Sequence, residues 1–192
     1  TNLVLIALVL VSPRCFAGET LLSGFEGDLS SSLGIDWQNS ANSFAYVSTG
    51  ATQGTQALSL TTPRTQSIPL RLIGGLDTIY ETFNENTQLR ADFTIASTAN
   101  FREAFFRLQI NGGAITIDGG DMILTPGETV TGVWDYEAEG VFDTLASIGE
   151  ITAFSLQLGM RGSDLGLPPT STTIVDNIRW FSSSTPGDFN SD

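Results

Sequence analysis

Residues 89–95 read LRADFTI, and apolar and polar side chains alternate along the whole stretch. Successive side chains of a β-strand point to opposite faces of a sheet, so the odd-numbered residues can be buried while the even-numbered ones face outwards. Such alternation is typical of a half-buried strand. The stretch therefore predicts a β-sheet with one face packed on a core and one polar face.

The same two-residue period recurs in residues 105–110, FFRLQI, and in residues 151–160. In the second run, Phe154, Leu156 and Leu158 would point inwards. Gly, Asn, Ser and Pro separate the short runs, and no apolar stripe of helical period lasts more than about two turns. We therefore predict an all-β sandwich of two antiparallel sheets. The predicted strands are 19–25, 44–48, 56–61, 67–73, 87–95, 104–110, 114–117, 129–136, 151–160 and 172–181, with short helical turns at 76–82 and 142–147 and a hairpin turn at 111–113.

The outward side of these strands is polar and able to form hydrogen bonds. If the strands neighbour one another in one sheet, their outward side chains form a single face with planar donors and acceptors, which sugar hydroxyl groups require. A solvated sheet face has the same composition, so the pattern leaves both interpretations open. The candidate ligand-binding residues on this face are Arg90, Asp92, Arg107, Gln109 and Gln157.

Exposed aromatic rings offer a second way to hold a sugar, because pyranose faces stack on them. Trp37 is the best candidate, since polar residues flank it in a stretch that reads as a loop. Trp180 lies in an apolar strand and is predicted to belong to the core. Trp37 is therefore added to the candidate ligand-binding residues.

The charge of the chain excludes several classes of function. All eight basic residues are arginines, the chain contains no lysine or histidine, and twenty-one acidic residues give a formal net charge of −13. A negative field of this size disfavours nucleic acid and anionic membrane surfaces as partners. The composition also excludes histidine-based triads, Schiff-base lysines and histidine-bound zinc. Divalent cations are the natural counter-ions.

Asp135, Glu137 and Glu139 are the carboxylates that could act as a catalytic pair. Alternate positions of a strand point the same way at intervals of about 6 to 7 Å, a spacing that glycoside hydrolysis uses. The run is faintly similar to the E-x-D-x-E strand of jelly-roll glucan hydrolases, although the order of Asp and Glu differs. An acidic, solvated strand end is the alternative, because Gly140 follows as if the strand had become a loop.

An apolar run, residues 3–11, precedes Cys15 and Ala17 near the start of the chain. The run and the small residues at the two recognition positions have the pattern of a signal peptide with cleavage after Ala17. We therefore expect residues 1–17 to be removed and the mature protein to be extracellular or at the cell surface, without a membrane anchor. Cleavage would also remove Cys15, the only cysteine, so no disulfide is expected.

Oxygen-bearing side chains occupy alternate positions after a serine-rich linker, residues 182–187. Positions 1, 3 and 5 of an EF-hand calcium loop carry such oxygens, and Asp188, Asn190 and Asp192 have this spacing. The segment resembles the opening of a dockerin type I repeat, although the glycine and the closing glutamate of the loop are missing. The resemblance implies calcium at these residues and a cohesin-like protein partner. A polar tail with chance spacing is the alternative.

Three further segments follow one another in a recognisable order. Residues 21–26 read LLSGFE, residues 52–60 read TQGTQALSL, and residues 174–180 read IVDNIRW. With the WDY motif at 134–136, they resemble the jelly-roll carbohydrate-binding modules of secreted bacterial proteins. The resemblance implies a galactose-binding-like jelly-roll β-sandwich and covers most of the chain from residue 19 to residue 180.

The resemblance also implies a structural calcium ion. In such modules the first and last strands lie together and often hold calcium between a first-strand glutamate and a last-strand aspartate. The matching positions are Glu26 and Asp176, with Asp28 as a candidate third ligand. In the alternative, Glu26 accepts hydrogen bonds from backbone amides and Asp176 caps a turn.

The sequence therefore predicts a secreted, non-catalytic module, residues 18–181, that binds a glycan or a cell-surface polysaccharide. A dockerin-like domain would begin at residue 188. Two other functions stay open. The first is a structural or adhesive extracellular β-sandwich without a sugar site. The second is a glycan-cleaving enzyme that uses paired carboxylates.

Overall fold

The computed structural model of the chain describes residues 18–26, 35–36, 43–63, 70–72, 76–95, 101–162 and 170–182. The predicted signal peptide and dockerin-like segment lie outside the described residues, as do the candidate site residues Asp28, Trp37, Asp188, Asn190 and Asp192. The strands are β1 (Gly18–Ser23), β2 (Ile35–Asp36), β3 (Ser43–Val47), β4 (Ala57–Pro63), β5 (Leu70–Leu72), β6 (Gln88–Ile95), β7 (Phe101–Ile110), β8 (Ile115–Ile123), β9 (Thr129–Asp135), β10 (Phe154–Gly162) and β11 (Thr170–Ser182), and the helices are α1 (Leu76–Asn84) and α2 (Val141–Ser147).

The strands form two antiparallel sheets, as predicted. Sheet I has the order β3-β4-β11-β6-β9, and β1 also pairs with β11. Sheet II has the order β2-β5-β10-β7-β8. The long strand β11 pairs with β4 along its first half and with β1 along its second half, where Gly18 lies opposite Ser182. The first and last strands of the domain are therefore neighbours, as the resemblance implied.

The core lies between the two sheets and is rich in aromatic side chains. Phe83 from α1 stacks on Tyr136 at a centroid distance of 4.1 Å, and the Tyr136 hydroxyl donates a hydrogen bond of 2.9 Å to the Phe83 carbonyl. Trp134 stacks on Phe106 from the opposite sheet. Trp180 is buried here, which confirms its predicted core position. These contacts fix the two sheets against each other.

The alternation of side chains identified the buried face of the strands correctly. Phe93 on β6, Leu108 on β7 and Leu156 on β10 are all buried. The predicted hairpin turn at 111–113 is a short 3-10 turn between β7 and β8, in which Asn111, Gly112 and Gly113 all have positive φ. No helix in the described ranges is long and apolar enough to span a bilayer.

Candidate functional site

The outward polar residues predicted to share one face lie on two opposite faces of the sandwich. Strands β7 and β10 pair directly in sheet II, but β6 lies in sheet I between β11 and β9. The condition that all three strands neighbour one another is therefore not met, and Arg90 and Asp92 are separated from Arg107, Gln109 and Gln157. Alternation fixes which side of a strand is buried, but it carries no information about the strand's partner.

The outward side chains of β7, β8 and β10 form what we call the sheet II face. Arg107 is the register partner of Asp118 on one side and of Gln157 on the other. Gln109 is likewise flanked by Thr116 and Ser155. Register partners project on the same side of a sheet, so these residues form two adjacent polar rows across three strands.

Hydrogen bonds hold this face in a defined arrangement. Arg107 donates from Nε and Nη2 to the two carboxylate oxygens of Asp118, at 2.5 and 2.7 Å. This bidentate pair raises the pKa of Arg107, chiefly through the hydrogen bond to Asp118. Gln157 donates from Nε2 to Oε1 of Gln109 at 2.6 Å. Four side chains from three strands are therefore locked in pairs.

The paired side chains keep free hydrogen-bonding groups. Among the described residues, Nη1 of Arg107, the amide nitrogen of Gln109 and the amide oxygen of Gln157 have no partner. Gln157 is only 6% exposed, so Arg107 and Gln109 present the more accessible of these groups. The two glutamines together offer one donor and one acceptor whichever way their amides are oriented. A ligand hydroxyl group both donates and accepts hydrogen bonds, so this face has the complementary groups for it.

Phe105 lies beneath Arg107 on the same side of β7. The guanidinium carbon is 5.0 Å from the centroid of the Phe105 ring. The ring is only 1% exposed, so it supports the guanidinium and offers no surface on which a sugar could stack. The aromatic platform predicted at Trp37 lies outside the described residues.

Arg90 is engaged in contacts on the outer face of sheet I. It forms an ion pair of 2.7 Å with Glu19 and donates two hydrogen bonds to Oε1 of Gln88. Its guanidinium also lies 4.0 Å above the ring of Phe181. Gln88 in turn donates to Asp135 at 2.7 Å. Arg90 therefore links β1, β6 and β11 and is committed to the fold.

Asp92 is also committed to the fold, because it is only 6% exposed and every donor around it comes from the protein. It accepts hydrogen bonds from Thr131 at 2.7 Å, from Thr52 at 2.8 Å and from Asn177 at 2.9 Å. Burial alone would raise the pKa of Asp92, but these hydrogen bonds and the charge of Arg179 together lower it. The carboxylate is therefore held ionised on the outer side of sheet I.

The two predicted calcium ligands Glu26 and Asp176 hold the same segment, residues 48–56, which we call the clasp loop. Asp176 is 1% exposed, and its Oδ2 accepts from the backbone nitrogens of Thr52 at 2.6 Å and Gln53 at 2.8 Å. Glu26 Oε1 accepts from the backbone nitrogens of Thr55 and Gln56, both at 2.6 Å. Carboxylates from both ends of the domain thus fasten the loop.

These hydrogen bonds match the alternative prediction, in which Glu26 accepts hydrogen bonds from backbone amides and Asp176 caps a turn. The hydrogen bond from the Gln56 amide, followed by that from the Thr55 hydroxyl, lowers the pKa of Glu26 below its ordinary value. Within the described ranges, no group of three or more Asp, Glu, Cys or His side chains could hold a metal ion. Two of the buried oxygens without a hydrogen-bond partner in those ranges nevertheless belong to this region, Oδ1 of Asp176 and Oε1 of Gln53.

The carboxylates proposed as a catalytic pair do not lie along one strand. Strand β9 ends at Asp135, and residues 136–140 form a turn. Asp135 accepts hydrogen bonds from Gln88 and from the Ala138 backbone, and Glu139 accepts from Nε1 of Trp134 at 2.9 Å. The strand spacing that motivated the pair is therefore wrong, and two of its three carboxylates are bonded within the fold.

Asp118 and Thr52 make contacts that no sequence pattern indicated. Strand β8 was predicted to end at residue 117, one position before Asp118. Strand β8 continues through Gly119 and Gly120 to Ile123 with a shift in register opposite β7. Thr52 lies in a segment that carried the family resemblance, but nothing in its sequence context indicated that it contacts Asp92.

Solved structures that resemble the chain are carbohydrate-binding modules. The family 11 module from Clostridium thermocellum in complex with a beta-1,3-1,4-mixed-linked tetrasaccharide has a TM-score of 0.51 and 14% identity, over 87% of this chain and 97% of that one. The C-terminal family 22 module of Clostridium thermocellum Xyn10B, studied for the role of its cleft in ligand binding, has a TM-score of 0.54 and 11% identity, over 85% and 93%. The CBM22-2 xylan-binding domain of Paenibacillus barcinonensis Xyn10C has a TM-score of 0.57 and 9% identity, over 88% and 99%.

No protein-family model and no curated protein matches the chain. At identities of 9 to 15%, the structural similarity establishes the fold. The protein has a jelly-roll β-sandwich of the kind found in carbohydrate-binding modules.

Proposed function

We propose that the domain is a non-catalytic glycan-binding module and that the sheet II face holds the sugar chain. The observation that carries this proposal is the polar group of Arg107, Gln109 and Gln157. It leaves donors and an acceptor side by side on two paired strands of a fold shared with carbohydrate-binding modules. Residues Arg90 and Asp92 have no part in the proposed site, since their hydrogen-bonding groups serve the fold.

Sugar chemistry matches this group. Each pyranose ring carries neighbouring hydroxyl groups that donate and accept hydrogen bonds, and planar amide and guanidinium groups fix their orientation. Neighbouring strands lie about 5 Å apart, so one ring can contact side chains of both β7 and β10. Preorganisation by the Gln109–Gln157 and Arg107–Asp118 pairs reduces the entropy that binding would otherwise cost.

A polysaccharide microarray on the full chain, followed by calorimetry on any polymer retained, tests the proposal. Gln157→Ala removes an acceptor and the partner of Gln109, so we expect the affinity to fall about tenfold or more. Thr94→Ala is the matched control, because Thr94 bonds to Thr129 on the outer face of sheet I. The affinity of Thr94→Ala for the polymer should equal that of the wild type.

Two results would contradict the proposal. Blank arrays with a folded protein would favour the alternative function, a structural or adhesive β-sandwich without a sugar site. Release of reducing sugar from a soluble glucan, lost in Glu137→Gln, would favour the glycan-cleaving enzyme.

We also propose that the clasp loop holds a structural calcium ion. Asp176 Oδ1 and Gln53 Oε1 are buried acceptors without hydrogen-bond partners in the described part of the chain, and oxygen atoms of this kind suit a hard cation. Gly24 makes room for the amide of Gln53, since a Cβ at residue 24 would overlap Oε1. Glu26 is the other candidate ligand.

Calcium binding would appear as a rise in melting temperature at about millimolar calcium, because an ion that binds only the folded state stabilises it. Asp176→Asn should abolish most of the rise, whereas Asp118→Asn, far from the loop in the fold, should keep it. An unchanged melting temperature in the wild type would reject the ion. Secretion, and a cohesin-like partner for a dockerin-like segment at Asp188, Asn190 and Asp192, remain predictions of the sequence.

A further inference from the structure

The pairing of Arg107 with Asp118 bears on which glycans the sheet II face accepts. Both nitrogens on one edge of the guanidinium bond to Asp118, and the side chains of the two residues are 25% and 29% exposed. A bidentate contact of this kind is how arginine recognises carboxylates in general. Asp118 therefore occupies the edge of Arg107 that the carboxylate of an acidic sugar would otherwise take.

The charge balance of the face follows from this pair. Among the described side chains of the sheet II face, Glu103, Arg107 and Asp118 sum to one negative charge, and the side chains of Arg71 and Arg161, which occupy register positions opposite Gln157 and Glu103, lie outside the described residues. The whole chain carries a formal charge of −13. A polyanionic glycan is therefore repelled over a distance of about one Debye length, roughly 8 to 10 Å, and finds the paired edge of Arg107 already occupied by Asp118.

An uncharged glycan meets different conditions. The second amino group of Arg107, Nη1, is still available and can donate to a hydroxyl oxygen. Phe105 beneath the guanidinium and Asp118 beside it hold this group in one orientation. Arg107 thus acts as a donor of fixed orientation, and Asp118 compensates its positive charge.

We propose that Asp118 is a specificity-determining residue, which makes the sheet II face select uncharged over uronate-bearing polysaccharides by compensating the charge of Arg107 and occupying its Nε–Nη2 edge. This inference rests on the proposed glycan-binding function of the same face. In this role Asp118 acts through Arg107 and need not contact the sugar itself.

The test uses soluble mixed-linked β-glucan, glucomannan and galactomannan, each beside its derivative oxidised to carboxylate at C6. Affinity is measured by calorimetry on the full chain at low ionic strength. The wild type should prefer the uncharged polymer of each pair. Asp118→Asn frees one edge of Arg107, so its affinity for the carboxylated polymer should rise about tenfold or more relative to the uncharged one.

Two control variants separate a specific effect from a general change of charge. Glu103→Gln removes the same charge from the same face of β7 but leaves the pair intact, so its preference should change by about twofold or less. The double variant Arg107→Gln/Asp118→Asn should not show the increased affinity for the carboxylated polymer that Asp118→Asn shows. Melting temperatures show that each variant is folded.

The outcomes distinguish the two proposals. An equal preference in Asp118→Asn and the wild type, or a wild type that already favours the carboxylated polymers, would overturn the role of Asp118 and leave glycan binding standing. Failure of the wild type and of every variant to bind any of the six polymers would overturn both proposals.

Discussion

Replacement of Asp176 by alanine is the most informative perturbation of the clasp loop. Asp176 is 1% exposed, and its Oδ2 accepts hydrogen bonds from the backbone nitrogens of Thr52 and Gln53 and from the Thr52 hydroxyl. Alanine would leave the two backbone amides without their acceptor, whereas the Thr52 hydroxyl could still donate to Asp92. Asparagine keeps one oxygen in the same position and is the matched control.

The magnitude follows from the number of donors affected. A donor left unsatisfied costs about 1 to 3 kcal/mol when it is fully buried. Because Thr52 is exposed and Gln53 is half-buried, water can reach part of this site, and the two backbone amides together suggest a loss of about 1 to 3 kcal/mol. One effect acts in the opposite direction, because Asp176 lies opposite Asp92 in the register and removal of one charge relieves repulsion between them. We therefore expect the lower half of that range for Asp176→Ala, and about 1 kcal/mol or less for Asp176→Asn.

Urea denaturation followed by tryptophan fluorescence measures this loss, since Trp134 and Trp180 are buried and become exposed on unfolding. Chelator in the buffer removes any contribution from calcium. A free energy of unfolding for Asp176→Ala within about 0.5 kcal/mol of the wild type would refute the reasoning. Equal losses in the alanine and asparagine variants would show that the oxygen kept by asparagine does not preserve these hydrogen bonds, which would also contradict the explanation.

Two further predictions concern the same region of the fold. The pKa values of Glu26 and Asp92 are lowered in the folded state, so their contribution to stability is present above the unfolded pKa values of about 4 and is lost as the pH falls through the folded pKa values. The melting temperature should therefore fall between pH 5 and pH 3, and it should fall less in Asp92→Asn. The same fall in that variant as in the wild type would contradict this. Gly54 and Gly112 have nearly the same φ, +69° and +72°, but only a Cβ at Gly54 would overlap the Glu26 side chain. Gly54→Ala should therefore destabilise the protein by about 1 kcal/mol more than Gly112→Ala in denaturant titrations. Equal losses of stability would show that the Glu26 side chain can move aside without destabilising the fold.

The period of the hydrophobic pattern predicted most of the fold, because it depends only on local geometry. Residues 89–95, 105–110 and 154–158 bury the side that alternation indicated. Partner strands depend on contacts between distant parts of the chain, so the position of β6 in sheet I was not available from its own residues. That single difference separated Arg90 and Asp92 from the candidate site.

The site was only partly predicted, because the predicted strand 114–117 ended before Asp118, the residue that pairs with Arg107. Gly119 and Gly120 follow Asp118 in the sequence. In the structure Gly120 has a φ of +61° and β8 continues beyond it, with a register shift opposite β7. Any side chain on Gly120 would also overlap Phe106 and Trp134. The glycine is thus explained by packing inside the strand, which sequence alone could not show.

A nuclear magnetic resonance titration tests the central claim most directly. The side-chain NH₂ signals of Gln109 and Gln157 and the Nε–H signal of Arg107 are recorded while an oligosaccharide of the polymer retained on the array is added. If the sheet II face binds the glycan, these signals shift and saturate together, whereas the Asn177 side chain and the Thr94 amide of sheet I stay unchanged. Saturable shifts confined to sheet I, with the two glutamines unaffected, would contradict the account.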